Sequence, residues 1–288
     1  MDQVDKKMAL NKILKKSVLA PGIVLFEIEN QDIASHALTG QFVVVRKDEF
    51  AERVPLTIAD FDPRKGTLVL IIQEVGVSTK KLCAMLEGDA ILDVLGPLGH
   101  PSEIDNFGTV ACIGGGVGVA PMFPITKALH RAGNRVHSII GARSKELIIL
   151  KDEMKAVSDV LHVCTDDGSE GFKGFVSGKL SELIGSGEKI DRVWAIGPGM
   201  MVKAVCDVTR SAGIPTIVSL NTLMVDGTGM CGGCRITVGD AVKFVCVDGP
   251  EFDGHRVKFD ELLQRSRMYH AREKQANREH ECKLNPVR

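Results

Sequence analysis

The stretch that indicates the fold of this chain most clearly is Thr109-Val-Ala-Cys-Ile-Gly-Gly-Gly-Val-Gly-Val-Ala-Pro121. Its first five residues form an apolar, β-branched run that predicts a buried strand, and apolar residues at helical spacing follow over 121–133. Glycines in the turn between them let the backbone approach a pyrophosphate, and the start of the following helix favours negative charge. The spacing is not G-x-G-x-x-G, and such turns also serve packing, so this stretch alone leaves both roles open.

The residues after this turn continue to alternate between strand and helix patterns. Strands are predicted at 135–141, 160–164, 192–196 and 216–220, and helices at 150–157 and 198–212. This alternation predicts a parallel sheet with helices on its faces, that is, a doubly wound α/β domain. A second glycine turn, Gly197-Pro198-Gly199-Met200, begins a helix at the carboxyl edge of the sheet, where open α/β sheets bind ligands.

The preceding hundred residues follow a different pattern. Short β-branched runs at 23–26, 42–45, 66–72 and 90–94 are separated by Pro and Gly turns, with one helical candidate near 79–87. Many short strands at this spacing predict a small antiparallel β-barrel. We therefore divide the chain into a barrel (1–100), an α/β nucleotide-binding domain (101–222), a cysteine-rich segment (223–255) and a charged tail (256–288) that is helical over 259–275.

Charge and composition exclude several classes of function. The 288 residues contain 36 Lys and Arg against 37 Asp and Glu, so no strong field favours nucleic acid. Aromatic residues make up only 5%, which argues against base-stacking surfaces. No apolar run reaches the roughly 18 residues of a membrane span, and the N-terminus lacks the apolar core of a signal peptide. We therefore expect a cytoplasmic protein.

The cysteine-rich segment contains Asp226-Gly-Thr-Gly-Met-Cys231-Gly-Gly-Cys234, followed by Cys246. Plant-type ferredoxins space their ligands as C-x4-C-x2-C with a distant fourth cysteine, and here Asp226 stands at the first position. The glycines allow backbone N–H groups to point at cluster sulfides. The pattern predicts a [2Fe–2S] cluster held by Asp226, Cys231, Cys234 and Cys246. A zinc site of three cysteines with Asp226 or His255, and a structural turn, remain as alternatives; His255 and Cys282 are otherwise expected to be non-ligands.

The predicted barrel contains two features suited to an anionic ligand. The first is Arg53-Val54-Pro55-Leu56-Thr57, and the second is Gly76-Val-Ser78-Thr79 directly before a predicted helix. An arginine, two hydroxyls and a helix N-terminus can together bind a phosphate. An ordinary surface turn explains the same residues equally well.

These motifs, taken in order over roughly residues 10–255, resemble the ferredoxin–NADP reductase superfamily. They are most similar to its electron-transfer subunits with a C-terminal [2Fe–2S] cluster, the group found in NADH-dependent ferredoxin:NADP oxidoreductase and in dihydroorotate dehydrogenase B. Asp226 in place of the first cysteine favours the former, and a cysteine there would have favoured the latter. The chain departs from the superfamily's usual R-x-Y-S motif, because Pro55 and Leu56 replace Tyr and Ser.

The resemblance implies a flavin, FAD rather than FMN, between the barrel and the α/β domain. Arg53 would bind the flavin phosphate, Thr57 would lie near flavin N5 as the catalytic residue, and Val54, Pro55 and Leu56 would line the site. The pyrophosphate would lie against Gly76, Ser78 and Thr79.

The resemblance also implies how the nucleotide binds and where its electrons go. The nucleotide, NAD(H) or NADP(H), would be positioned by Gly115, Gly116, Gly118, Gly197, Pro198 and Met200. Arg143 and Asp167 would lie nearby. Hydride would pass to the flavin, and single electrons would pass through the cluster to a larger flavin and iron–sulfur subunit in a hetero-oligomer, with electron bifurcation as an open extension. An alternative of another class is a non-catalytic regulatory module that binds zinc and a nucleotide.

Overall fold

The computed structural model of the chain describes residues 11–284, with side chains as far as residue 280. The N-terminal residues 1–10, which supported the expectation of a cytoplasmic protein, and the side chain of Cys282 lie outside the described residues.

The N-terminal part is a six-stranded antiparallel sheet. Its strands are β1 (Ile13–Ala20), β2 (Ile23–Glu29), β3 (Phe42–Arg46), β4 (Val54–Asp62), β5 (Thr67–Gln73) and β6 (Asp93–Leu98), with helices α1 (Gln31–His36) and α2 (Val77–Cys83). The spatial order is β1-β2-β5-β4-β3-β6. The Ile13 N–H donates to the Asp89 carbonyl at 2.9 Å, which joins β1 to the segment before β6. The sheet therefore closes into the predicted barrel.

Two barrel strands were not predicted from the sequence, and two other elements begin at residues other than those predicted. Strand β1 contains only a weak apolar pattern because its middle residues, Lys15, Lys16 and Ser17, are exposed or half-buried. Strand β4 contains a proline and two aspartates. The strand predicted at 90–94 lies about three residues further on, since β6 begins at Asp93 and runs through Gly96-Pro97. Helix α2 begins two residues before the predicted start and ends at Cys83.

The second half of the chain alternates between strands and helices as predicted, but it also contains a helix at 176–185 that was not predicted from the sequence. In order, the elements are β7 (Thr109–Gly115), α3 (Val119–Arg131), β8 (Arg135–Ala142), α4 (Lys151–Ala156), β9 (Val160–Thr165), β10 (Phe172–Lys173), α5 (Val176–Gly185), β11 (Arg192–Ile196), α6 (Gly199–Ala212), β12 (Thr216–Ser219), β13 (Arg235–Val238), β14 (Ala241–Phe244), α7 (Val245–Asp248), β15 (Glu251–Asp253), α8 (Phe259–Ser266) and α9 (His270–Leu284).

The large sheet has the order β10-β9-β8-β7-β11-β12-β15. All neighbours are parallel except β15, which runs antiparallel to β12. The chain moves outward from β7 to β10 in one direction and then returns to place β11 on the other side of β7. The topological switch point, where such sheets bind ligands, therefore lies between the carboxyl ends of β7 and β11.

The C-terminal part differs from the prediction of one helix over 259–275. Helix α8 ends at Ser266 and α9 begins at His270. Phe259 and Leu262 bury one face of α8, whereas no residue of α9 up to position 280 is buried. Strand β15 joins the large sheet although it lies within the predicted cysteine-rich segment, and the proposed domain limits stay a prediction. Within residues 11–284, no helix is both long and apolar enough to cross a membrane.

Candidate functional site

The two glycine turns predicted to bind a nucleotide meet at the switch point. A Cβ added to Gly118 would lie 2.4 Å from the Ile196 carbonyl oxygen, and one added to Gly115 would lie 2.2 Å from Met201 Sδ. Only glycine allows the turn after β7 to pack this closely against the turn after β11. The structure thus brings the predicted residues 115–118 and 197–200 together.

Gly116 differs from its neighbours because it faces open space. Its φ is +55°, and no atom lies within 4 Å of the position that a Cβ would occupy. A residue with a side chain would be strained there and would project into that space. Pro198 and Met200 are exposed at the opposite turn, so a ligand can approach both turns from the carboxyl edge of the sheet.

Arg143 and Asp167 are adjacent at the same edge. The Asp167 N–H donates to the Arg143 carbonyl at 3.2 Å, and both side chains are exposed. The Asp167 carboxylate accepts from the N–H and the hydroxyl of Ser169, at 2.9 and 2.6 Å, and these hydrogen bonds lower its pKa. Asp167 thus organises its own turn, whereas Arg143 has no ion pair among the described residues.

The two anion-binding features of the barrel also lie side by side. The Ser78 hydroxyl at the start of α2 donates to the carboxylate of Glu52, the neighbour of Arg53. Thr79 Oγ1 accepts from the N–H groups of Val75 and Gly76, each at 3.0 Å, and so caps the helix. Arg53 is exposed and has no ion pair within the described residues, which leaves its guanidinium available to an anionic ligand.

The residues after Arg53 alternate between the two faces of β4. Val54 and Leu56 are half-buried and pack against the apolar interior of the barrel. Thr57 is the cross-strand partner of Phe42, and Pro55 is the partner of Val44. Since Phe42 and Val44 pack in one apolar core with Cys234 and Cys246, Thr57 and Pro55 lie on the face of the barrel that meets the cysteine-rich segment.

The hairpin of β13 and β14 sets the positions of two cysteines. Arg235 pairs with Phe244, which places Cys234 and Cys246 at the open end of the hairpin. Both thiols are buried, and their Sγ atoms lie 3.2 Å apart. Burial, together with the neighbouring Cys234 thiol, raises the pKa of Cys246 to about 12. Two thiolates at this distance need a compensating cation, as a metal or cluster provides.

Asp226 and Cys231 lie at the exposed end of the loop. Oδ1 of Asp226 accepts from the Thr228 N–H at 2.9 Å, and Oδ2 accepts from the Cys231 N–H at 2.8 Å. These hydrogen bonds lower the pKa of Asp226, which therefore holds the loop as a carboxylate. Cys231 is exposed, and among residues 11–280 no three potential ligands are gathered into a finished metal site.

The residues nevertheless fit an iron–sulfur cluster in chemistry and in space. Three thiols and one carboxylate are available, and Gly227, Gly229 and Gly232 have positive φ, so the loop can curve around a bulky group without side chains in the way. His255 Nε2 lies 2.9 Å from the Thr209 hydroxyl on α6.

Two contacts of the cysteine loop were not predicted from the sequence. A Cβ on Gly227 would lie 2.8 Å from Val44 Cγ2, so the loop rests on the barrel. Arg265 Nη2 donates to the Gly233 carbonyl at 3.0 Å, from α8. Arg265 lies in a run of charged residues that the sequence presents as a solvated helix, and no motif signals its contact.

The fold and this arrangement define a class: a ferredoxin reductase-like oxidoreductase subunit with an iron–sulfur loop. Two family models match, the iron–sulfur cluster binding domain of dihydroorotate dehydrogenase B at residues 221–258 and the oxidoreductase NAD-binding domain at residues 112–207. The chain belongs to the family of dihydroorotate dehydrogenase B electron-transfer subunits and their homologues.

Three relatives illustrate the family. The chain is 50% identical over 266 residues to a dihydroorotate dehydrogenase B (NAD(+)) electron transfer subunit homolog of Thermotoga maritima, covering 92% of this chain and 94% of the relative. It is 32% identical over 249 residues to the corresponding subunit of Geobacillus thermodenitrificans, covering 83% and 94%. A solved structure of NADH-dependent reduced ferredoxin-NADP oxidoreductase, described for flavin-based electron bifurcation, has a TM-score of 0.90 and 47% identity, covering 96% and 99%.

These similarities confirm several predictions. They support the predicted superfamily, fold and electron-transfer role. They also support the cofactor set of flavin, iron–sulfur cluster and nicotinamide nucleotide, and membership of a multi-subunit complex. They favour the iron–sulfur cluster over the zinc alternative. The chain is an oxidoreductase subunit, and the assignment of individual residues to cofactors stays a prediction.

Proposed function

We propose that this chain is an NAD(P)H-dependent flavoprotein subunit that moves electrons between a nicotinamide nucleotide, FAD and a [2Fe–2S] cluster, to or from a larger partner subunit. One observation supports this most directly: the residue predicted beside the flavin and the cysteine loop occupy the same face of the barrel. Thr57 pairs with Phe42, Phe42 pairs with Leu98, and the loop rests on Leu98 and Val44 through Gly227.

Different residues of the barrel bind different parts of the flavin. The Arg53 guanidinium binds phosphate oxygens, and the Ser78 hydroxyl donates to them once it turns away from the Glu52 carboxylate. Thr79 stabilises the start of the helix. Thr57 presents its hydroxyl on the outer face of β4 and can hydrogen-bond the reacting edge of the ring. A flavin held by these residues would supply hydride acceptance and single-electron release, and the protein would supply its position and surroundings.

The α/β domain binds the nicotinamide nucleotide at the switch point. Gly116 leaves space for the pyrophosphate, and the close-packed Gly115 and Gly118 fix the turn against the residues after β11. Arg143, exposed at the same edge, is placed to meet the adenosine ribose or its 2′-phosphate. NADH and NADPH thus both remain candidates.

Asp226, Cys231, Cys234 and Cys246 are the proposed ligands of the cluster. Cys234 and Cys246 are already paired, and Cys231 reaches the site by turning its exposed side chain inward. The Asp226 carboxylate has enough lone pairs to keep hydrogen bonds to the loop while it binds iron.

We favour a ferredoxin:NADP oxidoreductase complex, with electron bifurcation as an extension, because the matching solved structure covers nearly the whole chain. The second candidate, electron transfer to a dihydroorotate dehydrogenase, is favoured by the cluster-domain match over 221–258. The cytoplasmic location stays a prediction.

The deciding experiment is purification of the native complex, identification of the large subunit, and anaerobic addition of NADH or NADPH. We expect loss of the flavin absorption band followed by the EPR signal of a reduced [2Fe–2S] cluster. Dihydroorotate as the only effective donor to the complex would favour the second candidate. A colourless protein that contains zinc would contradict the proposal and support the regulatory module.

A further inference from the structure

A cavity of about 300 Å³ lies between the barrel and the C-terminal helix. One wall is formed by the loop before β4, including Phe50 and Glu52, and by the first turns of α2, including Ser78. The opposite wall is formed by α9 through Ala276 and His280. This volume is at the lower end of the range of about 300–1,000 Å³ that is usual for small-molecule sites. Because Ser78 lines it, the cavity adjoins the proposed site of the flavin pyrophosphate.

Phe50 gives this cavity an aromatic surface. Its exposed fraction is 95%, the highest among the large apolar side chains in the described part of the chain. An exposed phenyl ring offers a flat face on which a planar heterocycle can stack. The ring lies only three residues before Arg53, so one ligand could contact both side chains.

The charged groups around the cavity suit a nucleoside with a phosphate. Lys47 and Lys81 line it, and neither forms an ion pair with a side chain of residues 11–280. Their ammonium groups can approach a diphosphate. Glu52 and Glu279 line it as well, and carboxylates accept hydrogen bonds from ribose hydroxyls. In the structure, the Glu52 carboxylate accepts a hydrogen bond from the hydroxyl of Ser78.

We propose that α9 and the Phe50 loop enclose the adenosine half of FAD, with the adenine ring stacked on Phe50. The C-terminal tail then makes the subunit selective for FAD over FMN. FMN lacks the adenosine half, so it can use Arg53 and the start of α2 but gains nothing from this cavity. This inference rests on the proposed flavin site at Arg53.

The test measures binding of FAD and of FMN to the flavin-depleted full-length chain by quenching of flavin fluorescence. Phe50→Ala should weaken FAD binding by about tenfold, since stacking on an aromatic ring contributes roughly that much. Phe50→Tyr should restore it. Ala276→Tyr, which fills the cavity from α9, should weaken FAD binding to a similar extent, whereas its control Ala271→Tyr, on the same helix but outside the cavity lining, should not.

Binding of FMN should stay within about twofold of the original value in all four variants, because FMN does not reach the cavity. If Phe50→Ala and Ala276→Tyr leave FAD binding unchanged, or weaken FAD and FMN equally, the inference is overturned. Arg53→Ala tests the underlying flavin site separately. It should weaken both flavins, and if it weakens neither, the proposed flavin site fails whatever the Phe50 variants show.

Discussion

Thr57 and Phe42 are directly opposed across β4 and β3, and Phe42 belongs to the same apolar core as Cys234 and Cys246. The strand pairing therefore couples the proposed flavin edge to the proposed cluster through the packed outer surface of the barrel. Because packed interiors resist small changes in volume, side-chain packing would set the distance between the two proposed cofactor sites. The position of the loop on this surface should consequently control electron transfer from flavin to cluster.

Gly227→Ala tests this coupling. A Cβ there would lie 2.8 Å from Val44 Cγ2, and the φ of +76° is strained for any residue with a side chain. We expect the loop to shift from the barrel, at a cost of about 1–3 kcal/mol in unfolding free energy. Stopped-flow absorption should show flavin reduction at the original rate and slower cluster reduction. Gly239→Ala, at φ +61° and against the flexible end of Arg256, is the matched control. Equal slowing in both variants would contradict the coupling.

Gly116→Val tests the nucleotide site. Its side chain would project into the space where we place the pyrophosphate, so flavin reduction by NADH should slow at least tenfold while reduction by dithionite is unchanged. Gly187→Val is the control, because Gly187 also has positive φ (+88°) and open surroundings. Gly187 precedes β11, at the opposite edge of the sheet. Unchanged NADH kinetics in Gly116→Val would show that the turn serves packing alone.

The sequence predicts those elements of the fold whose pattern lies in neighbouring residues of the chain. The alternation of strands and helices is local, so most elements of the α/β domain were predicted. Helix α5 and the short strands β10 and β15 were not. Strand β1 was missed because closure of the barrel, through Ile13 and Asp89, stabilises a strand whose own pattern is weak. The break between α8 and α9 was missed because the residues around it are mostly charged. No apolar pattern therefore marks where the first helix ends.

The candidate site shows the same division. Glycine turns and cysteine spacing are local, and the turns predicted apart from one another meet in the structure. The contact of Arg265 with Gly233 joins residues far apart in sequence, and no spacing rule relates them. Likewise, only the strand register shows that Leu56 packs inside the barrel while Thr57 faces the cysteine loop.

Arg265→Ala tests whether α8 stabilises the loop. The hydrogen bond from its guanidinium to the Gly233 carbonyl spans 3.0 Å, and bonds from charged groups contribute about 1.5–3 kcal/mol. We expect the variant to release iron to a chelator several-fold faster than the original chain. Arg267→Ala, an exposed arginine two residues later, removes the same charge without the contact. If the two variants release iron equally fast, the contact with Gly233 has no role in holding the cluster.

Glu251 should give the fold a measurable pH dependence. Burial raises its pKa above 4.5, although the Ser102 hydroxyl donates to it at 2.6 Å. The folded state then binds a proton more tightly than the unfolded state, so the contribution of this group to stability falls as pH rises above 4.5 towards the raised pKa. Glu251→Gln, which keeps the shape without the charge, should flatten that part of the profile. Urea unfolding from pH 4 to pH 8 measures it, and parallel profiles for the two proteins would contradict the expectation.

Asp226 is the most exacting test, because its carboxylate can either bind iron or only shape the loop. It already accepts the N–H groups of Thr228 and Cys231, and it stands where plant-type loops place the first thiolate. An oxygen ligand donates less charge to iron than a thiolate does, and ligand identity is one of the factors that set cluster potential. If Asp226 is a ligand, Asp226→Cys should keep the cluster but shift its reduction potential and EPR signal towards those of an all-cysteine site. Asp226→Ala should leave one iron open to water and make the cluster labile. EPR with iron quantitation on both variants decides: if both retain the original signal and iron content, the fourth ligand lies elsewhere and Asp226 acts through its two backbone hydrogen bonds.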